Sequence, residues 1–241
     1  MNSPRKLKVG FVGLALIGCT SICAATTDDH LVPLLDYVPR HAGAPGVYDR
    51  LCREKLFVTP GLVRFLEQPG IPRETEIAVS MYRDIKKQNG MRGGYWLTVT
   101  EPSVSLWKFA RHVDGQAPID TRVNTPGVRI GRKDAPIAET TAVAVHEVWL
   151  AMLKRTKSLE GNYSIPLEGS TETFWVTTST GKTLVGQTPR IELPKSSATN
   201  SVVEIAHFLT NYCIDPPAQR AAKALAIEAA ASSLQKRLMR N

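Results

Sequence analysis

Apolar residues recur with two different periods along this chain, and the order of the two periods limits the fold. Alternation with a period of two predicts strands over 75–83 and 94–100. Spacings of three and four predict amphipathic helices over 136–156, 201–212 and 215–239. Because strands and helices come in blocks and do not alternate regularly, the pattern is typical of an α+β fold and not of a parallel α/β fold.

Weaker patterns add to the predicted sheet. Residues 172–178 and 183–188 flank the turn sequence Ser-Thr-Gly-Lys at 179–182, which predicts a β-hairpin. Residues 105–112 and 120–130 are further strand candidates. Hairpins favour an antiparallel sheet with one face covered.

Two helices are predicted before the first strand. The first covers 47–56. The second begins at Thr59-Pro60, a polar cap followed by proline at the first helical position, and ends near Pro69-Gly70. We therefore expect an α+β domain with an antiparallel sheet, helices packed mainly on one face, and a helix pair at each end of the domain.

The N-terminus is typical of a bacterial export signal. Arg5, Lys6 and Lys8 precede ten mostly apolar residues, 9–18, a run too short for the ~20 residues that a membrane-spanning helix needs. Leu-Ile-Gly-Cys at 16–19 is typical of a lipobox, in which glycine admits the peptidase and the cysteine sulfur takes a lipid. We expect lipidation of Cys19 and a membrane anchor through it.

A second cleavage site, after Ala25, follows small residues and would release a soluble periplasmic form. The predicted organisation is an export signal at 1–25, a tether at 26–46 and a single globular α+β domain at 47–241. In either form the protein is expected in the cell envelope.

The charge of the exported part is moderate. Three of the formal +8 charges belong to the signal, so +5 remains, a mildly basic surface that favours anionic partners such as lipid headgroups or wall polymers. No basic run with interleaved aromatic residues occurs. Export and this pattern argue against nucleic acid as a partner.

Cysteine usage depends on the compartment. Cys52 and Cys213 remain in the exported chain whichever site is cut, and an oxidising compartment favours a disulfide between them. The alternative is two separately buried thiols.

No catalytic template is matched, which favours a protein without enzymatic activity. Ser179–Thr183 contains Gly-Lys-Thr, but Val176 stands where a phosphate-binding loop has its first glycine, so no nucleotide site is expected. Ser105 and Lys108 have the Ser-x-x-Lys spacing of penicillin-recognising enzymes without their companion motifs.

The histidines predict no metal site and no cofactor. Glu204 and His207 are one helical turn apart but lie opposite the apolar stripe of their helix, which indicates a solvated pair. Glu139 and His146 are about 10.5 Å apart along a helix, too far to bind one ion directly.

Two tryptophans form the candidate binding surface. Alternation places Trp96 with Thr98 on one face of its strand, and Trp175 with Thr177 on one face of another. If the two strands are neighbours, the indoles could form a platform for a sugar ring or a partner loop. The alternative is that a helix covers this face and both rings belong to the core.

These patterns together favour a non-enzymatic envelope protein. It would be periplasmic or lipid-anchored and would bind a partner protein or a wall component through an exposed sheet face. The alternative is an envelope hydrolase whose scattered site residues a single sequence does not reveal.

Overall fold

A computed structural model of the protein describes residues 30–33, 48, 50–57, 61–68, 75–84, 94–113, 128–157, 170–190 and 193–240. The predicted export signal, with Cys19, and most of the predicted tether lie outside these residues. Among the described residues, no helix has both the length and the hydrophobicity needed to cross a bilayer.

Within the described residues, six strands form one antiparallel sheet. The strands are β1 (Val63–Gln68), β2 (Ile77–Arg83), β3 (Tyr95–Pro102), β4 (Ile130–Ile137), β5 (Ser170–Thr177) and β6 (Thr183–Arg190). Their order across the sheet is β4-β3-β2-β1-β5-β6, and every neighbouring pair is antiparallel. The predicted α+β class and antiparallel sheet are confirmed.

Helices lie on both faces of the sheet. They are a π-helix (Cys52–Leu56), α1 (Leu106–Val113), α2 (Glu139–Lys154), α3 (Ala198–Ile214), a short 3-10 helix (Pro217–Gln219) and α4 (Arg220–Arg240). The helices α2 and α3 contact the strands, and α4 packs against both helices. The C-terminal helix pair is thus confirmed, as is the long helix within 136–156.

The main core lies between the sheet and α2, α3 and α4, on what we call the helical face. Inward residues alternate along each strand, as Val63 and Phe65 do in β1 and Phe174 and Val176 do in β5. Trp149 of α2 meets Phe174 edge to face, with ring centroids 5.1 Å apart. This contact docks α2 on β5.

The opposite side of the sheet, which we call the open face, carries a smaller apolar cluster. Within the described residues it is covered in part by the π-helix and α1. Leu66 and Ala78 from the sheet pack there with Leu51, Leu56 and Leu106. The helices therefore divide unequally between the two faces.

The predicted second N-terminal helix is wrong, because β1 occupies Val63–Gln68. Pro60 suggested a helix start, but Val63 and Phe65 alternate with Arg64 and point into the main core. Pairing with β2 and β5 on both sides outweighs local helix signals. The domain therefore lacks the N-terminal helix pair among its described residues.

The predicted strand over 105–112 is also wrong, since α1 occupies Leu106–Val113. The buried carboxylate of Glu76 accepts hydrogen bonds from Ser105 Oγ and from the backbone N–H groups of Leu106 and Trp107. A distant acid thus satisfies the free donors at the start of this helix. The strand candidate over 120–130 lies largely outside the described residues, and β4 begins at Ile130.

The hairpin between β5 and β6 is confirmed. Thr178 N–H donates to Lys182 O at 2.8 Å, and Gly181 has a φ of 80°, which glycine adopts without strain. The Gly-Lys-Thr sequence is therefore part of a β-turn leading into a strand.

Residues near the start of the predicted tether pack on the sheet edge. Leu31 is fully buried, and Val32 exchanges two backbone hydrogen bonds with Gln187 of β6. Gly186 beside them has no space for a side chain, because a Cβ there would lie 2.8 Å from Leu153 Cδ2. The folded domain thus begins before residue 47.

The structure differs from the predicted disulfide between Cys52 and Cys213. Both are buried, Cys52 in the cluster of the open face and Cys213 in the main core on the helical face, and neither takes part in a disulfide. Cys213 Sγ donates to Lys133 O at 3.2 Å, and burial raises the pKa of this thiol. Because the sheet lies between the two sulfurs, no disulfide joins them.

Candidate functional site

One row of side chains crosses the open face from β5 to β4. Strand register places Trp175, Arg64, Ser80, Thr98 and Asp134 directly opposite one another on successive strands. We call these five residues the transverse row. They alternate with residues of the main core, so all five belong to the open face.

A cavity of about 260 Å³ lies over the β4 end of this row, between the π-helix and β2, β3 and β4. Its wall combines hydroxyl groups, charged groups and two aliphatic side chains. The lining residues are Glu54, Lys55, Leu56, Ser80, Thr98, Thr100, Ile130 and Arg132.

Hydrogen bonds fix the hydroxyl groups in the cavity wall. Thr100 Oγ1 donates to Leu56 O at 3.0 Å, which ties the end of the π-helix to β3. Thr98 Oγ1 donates to Asp134. Since a threonine hydroxyl has one donor and two acceptor positions, both oxygens can still accept hydrogen bonds from a ligand.

The charged rim is oriented by an ion pair within β4. Arg132 Nε and Nη2 both donate to Asp134, at 3.0–3.1 Å, in a bidentate arrangement. The Asp134 carboxylate raises the pKa of Arg132. The pair uses two of the five guanidinium N–H donors, so Arg132 has further donors for a carboxylate or a hydroxyl at the cavity.

An aromatic and cationic group lies at the β5 end of the row. Trp175 is half-buried and meets Phe57 edge to face at 5.3 Å. The Arg64 guanidinium lies 5.8 Å from the centre of the Phe57 ring. Burial lowers the pKa of Arg64, and its Nε is buried without a hydrogen bond to the described part of the chain.

The two tryptophans are on the same face but do not form one platform. Two strands, β2 and β1, separate β3 from β5, so Trp96 and Trp175 are about 14 Å apart across the sheet. Trp96 is half-buried opposite Tyr82 and Pro136, outside the transverse row. Thr177 lies at the end of β5, where its hydroxyl donates to Gly61 O at 3.3 Å. Of the four predicted surface residues, the transverse row therefore unites Trp175 and Thr98.

The predicted solvated pair of Glu204 and His207 is not formed. Glu204 is exposed and accepts a hydrogen bond from Asn200 Nδ2 at 2.9 Å. His207 instead faces the sheet, with Nε2 at 3.6 Å from Glu67 Oε2 and 3.7 Å from Glu172 Oε1. Two glutamates from different strands thus meet a histidine from α3.

The alternation of inward and outward residues along β1 and β5 is the sequence signal that could have revealed the two glutamates near His207. Glu67 is in phase with the inward-facing Phe65, and Glu172 is in phase with the inward-facing Phe174. A charged residue at a core-facing position of a strand is uncommon unless it is paired. The predicted strand over 172–178 was sufficient to find Glu172, whereas Glu67 was hidden by the mistaken helix.

Ser105 lies immediately before the first residue of α1. Its hydroxyl is buried and donates to Glu76 at 3.2 Å. The Lys108 side chain lies outside the described part of the structure.

Comparison with models of protein families, with curated proteins and with solved structures finds no match to this chain. The transverse row with its cavity and the cluster around His207 are therefore the grounds on which function is inferred.

Proposed function

We propose that the protein is an exported component of the bacterial cell envelope that binds a cell-wall component through the open face of its sheet. The observation that carries this proposal is the cavity at the end of the transverse row, with hydroxyl groups on one side and charged groups at its rim. A partner protein that presents the same chemical groups would use the same surface.

The composition of the cavity suits wall polymers, which carry sugar hydroxyls together with the carboxylates and amines of short peptides. Thr98 and Thr100 offer hydroxyl oxygens that accept hydrogen bonds from a ligand, and Ser80 adds a third hydroxyl group. Arg132 complements a carboxylate, and Glu54 complements an amine.

The size of the cavity favours a small group of a larger polymer. Ligand pockets usually have volumes of about 300–1,000 Å³, and this one is near the lower limit. One sugar ring or one amino-acid-sized group would occupy it. Trp175 and Phe57, farther along the row, provide apolar area against which the next unit of a polymer would pack.

Lipidation at Cys19 would hold this surface close to the membrane. Leu31 is buried in the domain, and ten residues lie between Cys19 and His30, so the eleven Cα–Cα steps that join them span at most about 40 Å when fully extended. In this arrangement the mild positive charge of the exported chain favours anionic polymers near the bilayer surface.

Replacing Arg132 by alanine is expected to weaken binding of the purified protein to isolated wall sacculi by at least about tenfold. A hydrogen bond to a charged group contributes about 1.5–3 kcal/mol, which corresponds to that factor. Arg132 is exposed on β4, so its removal leaves the core intact. Co-sedimentation at several protein concentrations measures the affinity.

Lys154→Ala is the matched control, since it removes one positive charge from the exposed end of α2 on the other side of the sheet. Its binding should equal that of the wild type. Equal losses in the two variants would indicate unspecific charge attraction and contradict the proposed surface. Release of soluble fragments from the sacculi would favour the hydrolase alternative.

A further inference from the structure

Glu67, Glu172 and His207 converge at one end of the helical face. Strand register places Glu67 of β1 directly opposite Glu172 of β5. His207 reaches them from α3, and one ligand atom from each residue lies within 4.8 Å of the other two. Three separate elements thus bring two carboxylates and an imidazole to one point.

The charges in this cluster favour a bound cation. Like charges directly opposite each other on neighbouring strands destabilise a sheet. Glu172 is fully buried, and repulsion between carboxylates increases as the surroundings become less polar. A cation shared by both carboxylates offsets this repulsion.

The distances suit ligands of one metal ion better than direct hydrogen bonds. His207 Nε2 is buried and makes no hydrogen bond within the described residues. Its distances to Glu67 Oε2 and Glu172 Oε1, 3.6 and 3.7 Å, exceed the hydrogen-bonding range. Tetrahedral Zn²⁺ with bonds of about 2.0–2.2 Å places its ligand atoms about 3.4 Å apart. Small side-chain adjustments therefore complete such a site.

The imidazole is also held in place and accessible. The Phe65 ring meets it edge to face, with centroids 6.1 Å apart. The side chains of His207 and Glu67 are 29% and 23% exposed, which gives an ion a route from solvent to the buried Glu172.

We propose that Glu67, Glu172 and His207 form a binding site for a divalent cation of the zinc class. Imidazole together with carboxylates suits Zn²⁺, whereas Mg²⁺ and Ca²⁺ prefer oxygen ligands throughout. The ion would join α3 to the adjacent strands β1 and β5, and water would complete its tetrahedral coordination. This site is separate from the proposed wall-binding surface, because it lies on the opposite face of the sheet.

Isothermal titration with ZnCl₂ after removal of metals by a chelator tests the site. We expect His207→Gln and Glu172→Gln each to weaken one Zn²⁺ site by at least about 100-fold, since loss of an outer-shell partner alone costs about 10–100-fold. Glu204→Gln is the matched control, an exposed acid on the same helix, and should bind Zn²⁺ as the wild type does. Mg²⁺ should not compete at equal concentration.

A second measurement shows whether the variants fold as the wild type does. Near-ultraviolet circular dichroism should show the same tertiary packing in all three variants. Zn²⁺ should raise the thermal unfolding midpoint of the wild type and of Glu204→Gln, and should leave that of the two ligand variants unchanged. Zn²⁺ binding that is unchanged by either ligand substitution would overturn the proposal. Absence of a site in the wild-type protein would overturn it as well, leaving His207 as a plain ion-pair partner of the two glutamates.

Discussion

Trp149→Ala is expected to lower the free energy of unfolding by about 3–5 kcal/mol, the largest loss of any single substitution considered for this protein. Trp149 is 1% exposed and has the largest side chain among the fully buried residues that the structure describes. Its ring packs edge to face on Phe174. Truncation leaves a cavity between α2 and β5 at the centre of the main core, and denaturant unfolding followed by circular dichroism measures the loss.

Trp149→Phe separates packing from the indole N–H. The Nε1 atom is buried without a hydrogen bond in the described part of the protein, so phenylalanine removes an unsatisfied donor while it keeps a ring against Phe174. We expect less than half of the loss caused by alanine. An alanine variant as stable as the wild type would show that α2 does not dock on the sheet as described.

Leu234→Ala is expected to cost about 2–5 kcal/mol, because Leu234 is fully buried where α4 packs against α2 and α3. Leu225→Ala is the matched control on the same helix. Leu225 is 68% exposed, and its substitution should change the free energy of unfolding by less than about 0.5 kcal/mol.

The comparison of the two leucines tests the role of α4. A large difference in unfolding free energy means that α4 is part of the domain's own core. Similar small values for both would mean that α4 is dispensable for the fold, and would favour a role for this helix in contacts with another protein.

Elements with strong local periodicity were predictable from sequence. The helix α2 has an apolar stripe over four turns, and the hairpin has turn residues between two alternating segments. In both elements, the secondary structure that the local sequence favours is also the one that the contacts in the folded protein stabilise. The same agreement holds for α3 and α4, which the sequence also predicted.

The mistaken elements depend on contacts distant in sequence. Helix α1 begins where Glu76, about thirty residues earlier, accepts hydrogen bonds from its first N–H groups. Strand β1 is stabilised by pairing with β5, more than one hundred residues later. Periodicity in a short window carries no information about such partners.

The candidate sites were predictable only in part, for the same reason. The alternation of apolar and polar residues predicted that Trp175 and Thr98 lie on the polar faces of their strands. The order of the strands in the sheet places Arg64 and Ser80 between them. Likewise, the sequence pointed to His207 on its predicted helix, as a member of a solvated pair. Glu67 and Glu172 come from two strands that are brought together only in the folded protein. Spacing along a sequence does not determine strand order.

The central claim is that the open face binds the wall, and hydrogen–deuterium exchange with soluble wall fragments at saturating concentration tests it most directly. The π-helix at Cys52–Leu56 and strand β4 at Ile130–Ile137 border the cavity. We predict slower exchange in peptides that cover these two segments and unchanged exchange in α4. Protection confined to α2, α3 and α4, or no protection anywhere, would contradict the account.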